Sequence, residues 1–213
     1  MRNYANINRY LDMLNRDVYP ETEMRQHEEI TENIFNNFIK PNKQIFNLIL
    51  DVGCGQGIAL KRFKSLNIKA IGITIGKEDY DACLRKGFEV KIMDQSFLDF
   101  PDNQFDLVYA RHVLEHSPFP LLTLFEFNRV LKINGLLYVE VPWAESIHTT
   151  NPNHYSMLGR MSWEHLFKKS MFVILKEIKM NFNPINGEPD EYWGWWLGKT
   201  LDLNTQNPNR PNE

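Results

Sequence analysis

Hydrophobic positions follow two periods along this chain. Over residues 21–39, Ile30, Ile34 and Phe38 recur at four-residue spacing, which predicts an amphipathic helix; residues 1–20 are rich in Asn and Tyr and show no clear period. From residue 45 short apolar runs alternate with helical stretches: IFNLILDV, IALKRFKSL, IKAIGIT, GKEDYDACLRKG, FEVKIM, FDLVYA, PLLTLFEFNRVL and GLLYVEVP. Strands apolar on both faces and separated by helices predict βαβ units, and hence a parallel sheet covered on each side. Gly135, after VLKIN, stands where a glycine ends a helix and opens the next strand. Beyond Pro142 a polar loop, WAESIHTTNPNHYSMLG, leads to a helix with Ser162 as N-cap and His165 where a capping box prefers Glu or Gln. MFVILKEIKMNF reads as a strand, NPINGEP as a turn and EYWGWWLGKTL as a returning antiparallel strand; the polar tail 204–213 reads as disordered.

This order of elements predicts a single α/β domain over 1–203, with a helical lid expected at 1–40, a core at 45–142, and a substrate loop and terminal hairpin at 143–203. A length of 213 residues suits one such domain. Lys and Arg number 24 against 27 Asp and Glu, with no block of like charge, so no nucleic-acid partner is expected. Cys54 and Cys83 are too few for a disulfide framework, and the opening MRNYANINRY lacks a signal peptide's apolar core, which together predict a reduced, cytoplasmic setting. Apolar runs such as LLYV at 136–139 fall far short of the roughly 20 residues that span a bilayer, so no membrane insertion is expected.

The first strand runs into DVGCGQG, with Gly53, Gly55 and Gly57, and a helix follows at once. Glycines there allow a tight turn and let a ligand approach bare backbone, while the helix start offers free N–H groups. Ile58 stands where the dinucleotide fingerprint needs Gly or Ala, which argues against a nicotinamide cofactor, and no G-K-[ST] completes this loop, which excludes a nucleotide-triphosphate loop. HVLEH, His112 to His116, matches the inverted zinc-peptidase signature, but it follows a buried strand and precedes Pro118 rather than lying within a helix. It therefore reads as a decoy, no metal ligands are assigned, and His116 reads as a hydrogen-bonded helix-start residue.

His112 lies two residues past a strand end, where open α/β sheets place their ligands, and His148 and His154 sit in the loop after the fifth strand. These three are the candidate catalytic residues, for general base work or substrate hydrogen bonding. Trp193, Trp195 and Trp196 read as packing on both faces of the last strand, with an aromatic substrate wall or a homodimer surface as the functional rival; Trp143 and Tyr155 are better placed to face a ligand.

LILDVGCGQG, VKIMDQSFLDFPDNQFDLVYARHVLEHSPFP and EFNRVLKINGLLYVEVP together resemble the class I S-adenosylmethionine-dependent methyltransferases, specifically the small-molecule branch called methyltransferase type 11. The likeness is strong over residues 45–142 and looser over 154–180. It implies a Rossmann-like, doubly wound, mostly parallel seven-stranded sheet with an antiparallel last strand. S-adenosyl-L-methionine would be the cofactor and S-adenosyl-L-homocysteine the product. By resemblance Asp51 holds the loop and the amino-acid part of the cofactor, and Gly53, Gly55 and Gly57, with Cys54 among them, present backbone to the methionine moiety. Asp94 and Gln95 take the adenine edge, with a strand-end cap as the plainer reading of Asp94. Ala110 and Arg111 follow the fourth strand near the sulfonium, where Arg111 covers the sheet edge or meets the substrate.

The family's second strand usually ends in an acid that takes both ribose hydroxyls; here it ends AIGITIG, placing Thr74, followed by Ile75, at that position. Either Thr74 binds a ribose hydroxyl with help from Glu78 or Asp79, or cofactor binding has decayed in a non-catalytic relative. The expected reaction is methyl transfer to oxygen or nitrogen of a small polar, sugar-like acceptor. The rivals are a non-catalytic binding relative, a metallohydrolase and an NAD-dependent oxidoreductase.

Overall fold

The computed structural model describes residues 5–14, 25–182, 185 and 190–200. Within these limits the chain forms one seven-stranded sheet: β1 (Leu48–Val52), β2 (Lys69–Thr74), β3 (Glu89–Ile92), β4 (Phe105–Arg111), β5 (Leu131–Pro142), β6 (Phe172–Asn181) and β7 (Glu191–Lys199), in the spatial order β3-β2-β1-β4-β5-β7-β6. β1 to β5 pair in parallel, and β7 inserts antiparallel between β5 and β6. The α/β, mostly parallel architecture read from the sequence is the one observed. Among the described residues no helix is long and apolar enough to cross a membrane.

Alternation along the strands divides the core into two layers. Leu50, Val52, Val108, Leu137 and Trp195 face α5 (Pro120–Val130) and α6 (Arg160–Lys169) through Leu124, Phe127, Trp163 and Phe167. Ile49, Leu107, Tyr109, Tyr138 and Trp196 face α2 (Arg25–Ile34) and α3 (Ile58–Ser65) through Ile30, Ile34 and Phe63. Trp195 and Trp196 thus do pack on opposite faces of β7, and Phe38 stacks on Trp196 with ring centroids 3.5 Å apart. A smaller cluster, Cys54, Leu60, Cys83 and Val90, seats α4 (Lys77–Arg85) behind the loop that follows β1.

Three local readings need correction. Residues 5–14 form a helix, α1 (Ala5–Leu14), whose period was diluted by polar neighbours: among residues 6–14 only Ile7, Leu11 and Leu14 are partly buried, at the spacing of one helical face. Gly135 does not end a helix. α5 stops at Val130, β5 starts at Leu131, and the partner of β4 jumps from Leu131 to Leu136 across an irregular stretch in which Asn134, not Gly135, takes the left-handed conformation. Ser162 lies inside α6, whose N-cap is Gly159, because the Ser162 amide already donates to Gly159 O. Of the NPINGEP turn only Ile185 lies within the described residues, and the tail expected to be disordered lies outside them.

The chain runs outward from β1 to β2 and β3, then returns across β1 to β4 and β5. At this reversal the carboxyl ends of β1 and β4 diverge, leaving the crevice where such sheets take ligands.

Candidate active site

At that crevice β1 ends in a turn built for glycine. Gly53 has φ +62°, and a Cβ there would stand 2.1 Å from Val113 Cγ1. Gly57 has φ +90°, caps α3, and a Cβ on it would meet the Phe88 ring at 2.7 Å. Cys54 N–H donates to Ile73 O on β2 and Gly57 N–H to Cys54 O, and from the α4 side the Cys83 thiol donates to Gly55 O at 3.2 Å and Lys86 Nζ to Gln56 O at 2.8 Å. Gly53 and Gly55 open into a cavity of about 370 Å³ that Thr74, Ile75, Asp94, Gln95, Arg111, His112, His148 and His154 also line, within the range of small-molecule sites. Asp51 and Cys54 instead line a cleft of about 30 Å³, which shares Gly53, Arg111 and His112 with the cavity. Gly57 and Ala110 line neither: Gly57 starts α3, and Ala110 is buried in the β4 core.

On the β2–β3 side, polar groups are set by short local bonds. Thr74 ends β2, and its hydroxyl accepts from the Gly76 amide at 3.1 Å, which leaves its own proton free to donate. Asp94 Oδ1 accepts from the Ser96 amide at 2.7 Å, so Asp94 caps the strand end and lines the cavity at once. Gln95 Nε2 donates to Val113 O at 2.7 Å, and its buried Oε1 has no hydrogen-bond partner among the described residues. Of the two acids at the start of α4, Asp79 lines the cavity and Glu78 does not.

Beneath the cavity lies a buried ionic group that the sequence did not reveal. Glu140 on β5 is fully buried; Oε1 receives Arg111 Nη2 at 2.7 Å and Nε at 3.0 Å and faces His112 Nε2 at 2.7 Å, while Oε2 accepts from the Tyr138 hydroxyl at 2.8 Å. Burial alone would raise the pKa of Glu140, but Arg111 and His112 outweigh it and hold the carboxyl well below the usual range. Arg111 also donates to Thr31 on α2, tying the helical layer to the sheet. Its guanidinium is held by Glu140 and Thr31 at the edge of the sheet, and the residue also lines the cavity. His112 takes φ +53°, a left-handed turn that points its ring down at Glu140 and edge-on against Tyr192, 4.8 Å between centroids.

On the β5–β7 side the walls are side chains. His148 Nε2 lies 2.9 Å from Asp190 Oδ1 and 2.7 Å from the Tyr192 hydroxyl. His154 Nδ1 bonds His148 O at 2.8 Å; burial, with His116 beside it, pushes its pKa down to about 4. His116 Nδ1 bonds Asn153 O at 2.9 Å, and burial lowers its pKa too. Glu115 is 1% exposed, and burial pushes its pKa up to about 8, so it is protonated at neutral pH. His112, His116, His148 and His154 all line this one cavity. Tyr155 lines it as well, but Trp143 packs against Trp193 with centroids 5.4 Å apart and turns away. Asp190 and Tyr192 went unread, since nothing in their local spacing relates them to the histidine they touch, whereas Glu115 stands in HVLEH three residues after His112, which it faces at 3.7 Å. Leu11 and Leu14 of α1 complete the lining.

Residues 50–139 match the family model described as a methyltransferase domain. That stretch is a class I S-adenosylmethionine-dependent methyltransferase domain. S-adenosylmethionine is the cofactor of this fold, and the residues present fit it: a bare-backbone cradle that a Cβ would fill at Gly53, a helix N-terminus beside it, and a carboxylate and an unsatisfied amide oxygen at Asp94 and Gln95. The methyltransferase domain is 36% identical over 119 residues to a sterol 24-C-methyltransferase of Eremothecium gossypii, covering 51% of this chain and 32% of that protein. A ubiquinone biosynthesis O-methyltransferase of Nitrosococcus oceani is 30% identical over 97 residues, 42% of this chain and 41% of that one. The chain thus spans about a third to two fifths of the length of these curated relatives. In fold it is similar to an S-adenosylmethionine-dependent methyltransferase from Archaeoglobus fulgidus, with TM-score 0.64, 20% identity and coverage of 81% and 94% of the two chains. It is also similar to the cyclase SpnF, with TM-score 0.69, 16% identity and coverage of 93% and 94%.

Proposed function

We propose that this protein moves the methyl group of S-adenosylmethionine to an oxygen or nitrogen of a small, polar, sugar-like acceptor, with His148 as the group that takes the acceptor's proton. The observation that carries this reading is that His148, which lines the same cavity as the glycine loop, is backed by the buried Asp190. A proton held on Nε2 by Asp190 Oδ1 leaves the lone pair on Nδ1, which has no hydrogen-bond partner among the described residues. A buried carboxylate that fixes one imidazole nitrogen so that the other acts as base is the logic of acid–base dyads generally. Tyr192, also on Nε2, fixes the ring from a second direction.

When bound, the cofactor supplies an electrophilic methyl on a positively charged sulfur. The protein's share is then alignment, which in favourable cases contributes on the order of 7–11 kcal/mol. Held at the glycine loop and Asp94, the cofactor would supply the methyl group and keep the carbon–sulfur electron pair, while His148 would take the proton that the acceptor gives up. Asn151, Asn153 and Tyr155 add hydrogen-bonding groups to the lining, which favours a hydroxyl-rich or amine acceptor. A cavity of about 370 Å³ shared by cofactor and acceptor favours a small one.

Incubation with methyl-labelled S-adenosylmethionine and a panel of sugars, polyols and small amines tests this. The expected result is S-adenosylhomocysteine formed in step with a labelled acceptor, slowed in His148→Gln. Binding of S-adenosylhomocysteine with no turnover on any panel member would instead favour a non-catalytic relative, and absence of binding would refute the cofactor reading itself.

A further inference from the structure

Glu115, His116 and His154 bring one carboxylate oxygen and two imidazole nitrogens within 4.8 Å of one another, and all three residues line the cavity. We propose that these residues form a site for a divalent transition-metal ion on the acceptor side of the cavity. His112, the first histidine of HVLEH, is not part of the set; its place is taken by His154, 38 positions beyond His116 in a different loop.

The hydrogen bonds around the set are those a metal site needs. Each histidine commits Nδ1 to a backbone carbonyl, His116 to Asn153 O at 2.9 Å and His154 to His148 O at 2.8 Å. That fixes both rings in the tautomer whose lone pair is on Nε2, the usual second-layer arrangement of ligating histidines. The amide of Asn151 donates to the lone pair of His154 Nε2 at 3.2 Å and would have to give way to an ion bound there. Glu115 Oε2 is buried with no hydrogen-bond partner among the described residues, and a cation bound there would take the place of the carboxyl proton, which leaves to solvent.

The two loops that carry the ligands are also fastened together. Ser156 N–H donates to Glu115 O at 2.9 Å, and the Ser156 hydroxyl to Ser117 O at 2.6 Å. The set is therefore held across 38 residues of sequence before any ion arrives.

Two neutral imidazoles and one carboxylate suit Zn²⁺, Fe²⁺ or Mn²⁺ rather than Ca²⁺ or Mg²⁺, which take oxygen ligands. A separation of up to 4.8 Å must shorten to roughly 3.3 Å for bonds of about 2.0–2.1 Å to a tetrahedral ion, so binding draws the loops together. Three protein ligands leave a position open to the cavity, where an acceptor oxygen or water would be held.

The test is binding, independent of methyl transfer. The full chain is stripped with a chelator and titrated with Co²⁺ while the visible d–d absorption is followed, and Zn²⁺ is then used to displace it. Expected are saturation at one equivalent and displacement by Zn²⁺. Affinity should fall at least tenfold in each of His116→Ala and His154→Ala, and stay unchanged in His165→Ala, an exposed histidine of α6. Should an alanine variant fail to fold by circular dichroism, His116→Gln and Glu115→Gln keep the side-chain bulk and are expected to lose the same signal. Absence of a saturable one-equivalent site in the parent, or unchanged affinity in folded His116 and His154 variants, overturns the proposal.

Discussion

On the β2–β3 side of the cavity a ligand faces backbone and strand ends: Gly53, Gly55, Thr74 and Asp94 lie within 42 residues, each placed by the strand it terminates or follows. On the β5–β7 side it faces side chains from segments far apart, with His148 paired to Asp190 across 42 residues and His116 gathered to Asn153 across 37. The first side needs only that the chain turn sharply at a sheet edge. The second needs several loops docked on one another and a buried charge beneath them. An ancestral turn can thus keep its ligand while the opposite wall changes its chemistry, which is how one fold serves many reactions.

The largest expected effect separates the two sides outright. Gly53→Val puts a β-branched side chain at φ +62° and drives its Cβ to 2.1 Å from Val113. S-adenosylhomocysteine, which should stabilise the parent by about 2.7 kcal/mol at a hundredfold excess over Kd, should no longer shift the melting temperature at all. Retained affinity in that variant would show that the loop does not hold the ligand.

Next is the charge below the other side. Arg111→Met leaves Glu140 buried with His112 and Tyr138 as its remaining partners, and breaking such a pair costs about 3–5 kcal/mol. In the parent, the folded pKa of Glu140 lies below its unfolded value near 4.5. Its stabilisation is therefore present above pH 4.5 and lost as pH falls below that value. In the variant burial wins, the folded pKa rises above the unfolded one, and stability should instead fall as pH increases. Chemical denaturation of both proteins from pH 4 to 9 distinguishes the two slopes; parallel curves would mean that Arg111 is not what holds Glu140 ionised.

How far each side was legible follows from the same contrast. The sheet, its helices and the glycine turn are written in local period and spacing, so DVGCGQG and the strand end at Thr74 were found where they stand. α1 escaped because three apolar residues, Ile7, Leu11 and Leu14, carry its face among polar ones. Gly135 misled because the left-handed turn fell to Asn134, a residue that also tolerates it. His148 and His154 were found as loop histidines near a strand end and Glu115 stood in HVLEH, yet Asp190 as the partner of His148 and the burial of Glu115 were not foreseen. A hydrogen bond across 42 residues leaves no local trace, and a carboxylate buried by tertiary packing looks in sequence like any surface acid.

The acceptor side is sharpened by a smaller effect. His148→Gln keeps a hydrogen-bonding group but cannot take up a proton, and loss of a positioned base typically costs about a hundredfold in rate. The fall should appear in kcat, with the affinity for S-adenosylhomocysteine unchanged. Tyr192→Phe, which removes one of two contacts to Nε2, should cost less. Equal loss of cofactor affinity in His148→Gln would merge the two sides into one binding surface and remove the case for a base.

The smallest effect lies at Thr74, the point where the cofactor side departs from a charged acceptor. Its hydroxyl accepts from Gly76 and has one proton left to give, so it offers a ribose one neutral bond, worth about 1 kcal/mol net. Asp at this position would still accept from Gly76 in the manner of an Asx turn, and its second oxygen would make a charge-assisted bond roughly twice as strong. Thr74→Asp should therefore tighten S-adenosylhomocysteine by about threefold to tenfold. Thr74→Val should weaken it several-fold, and Thr74→Ser should restore the parent's affinity. Because Val also strands the Gly76 amide, stability must be measured beside affinity: a loss of stability with unchanged binding means the hydroxyl serves only the turn. Calorimetry that finds Thr74→Asp weaker and Thr74→Val unchanged would move the ribose away from β2, towards Asp79, whose carboxylate lines the same cavity one turn into α4.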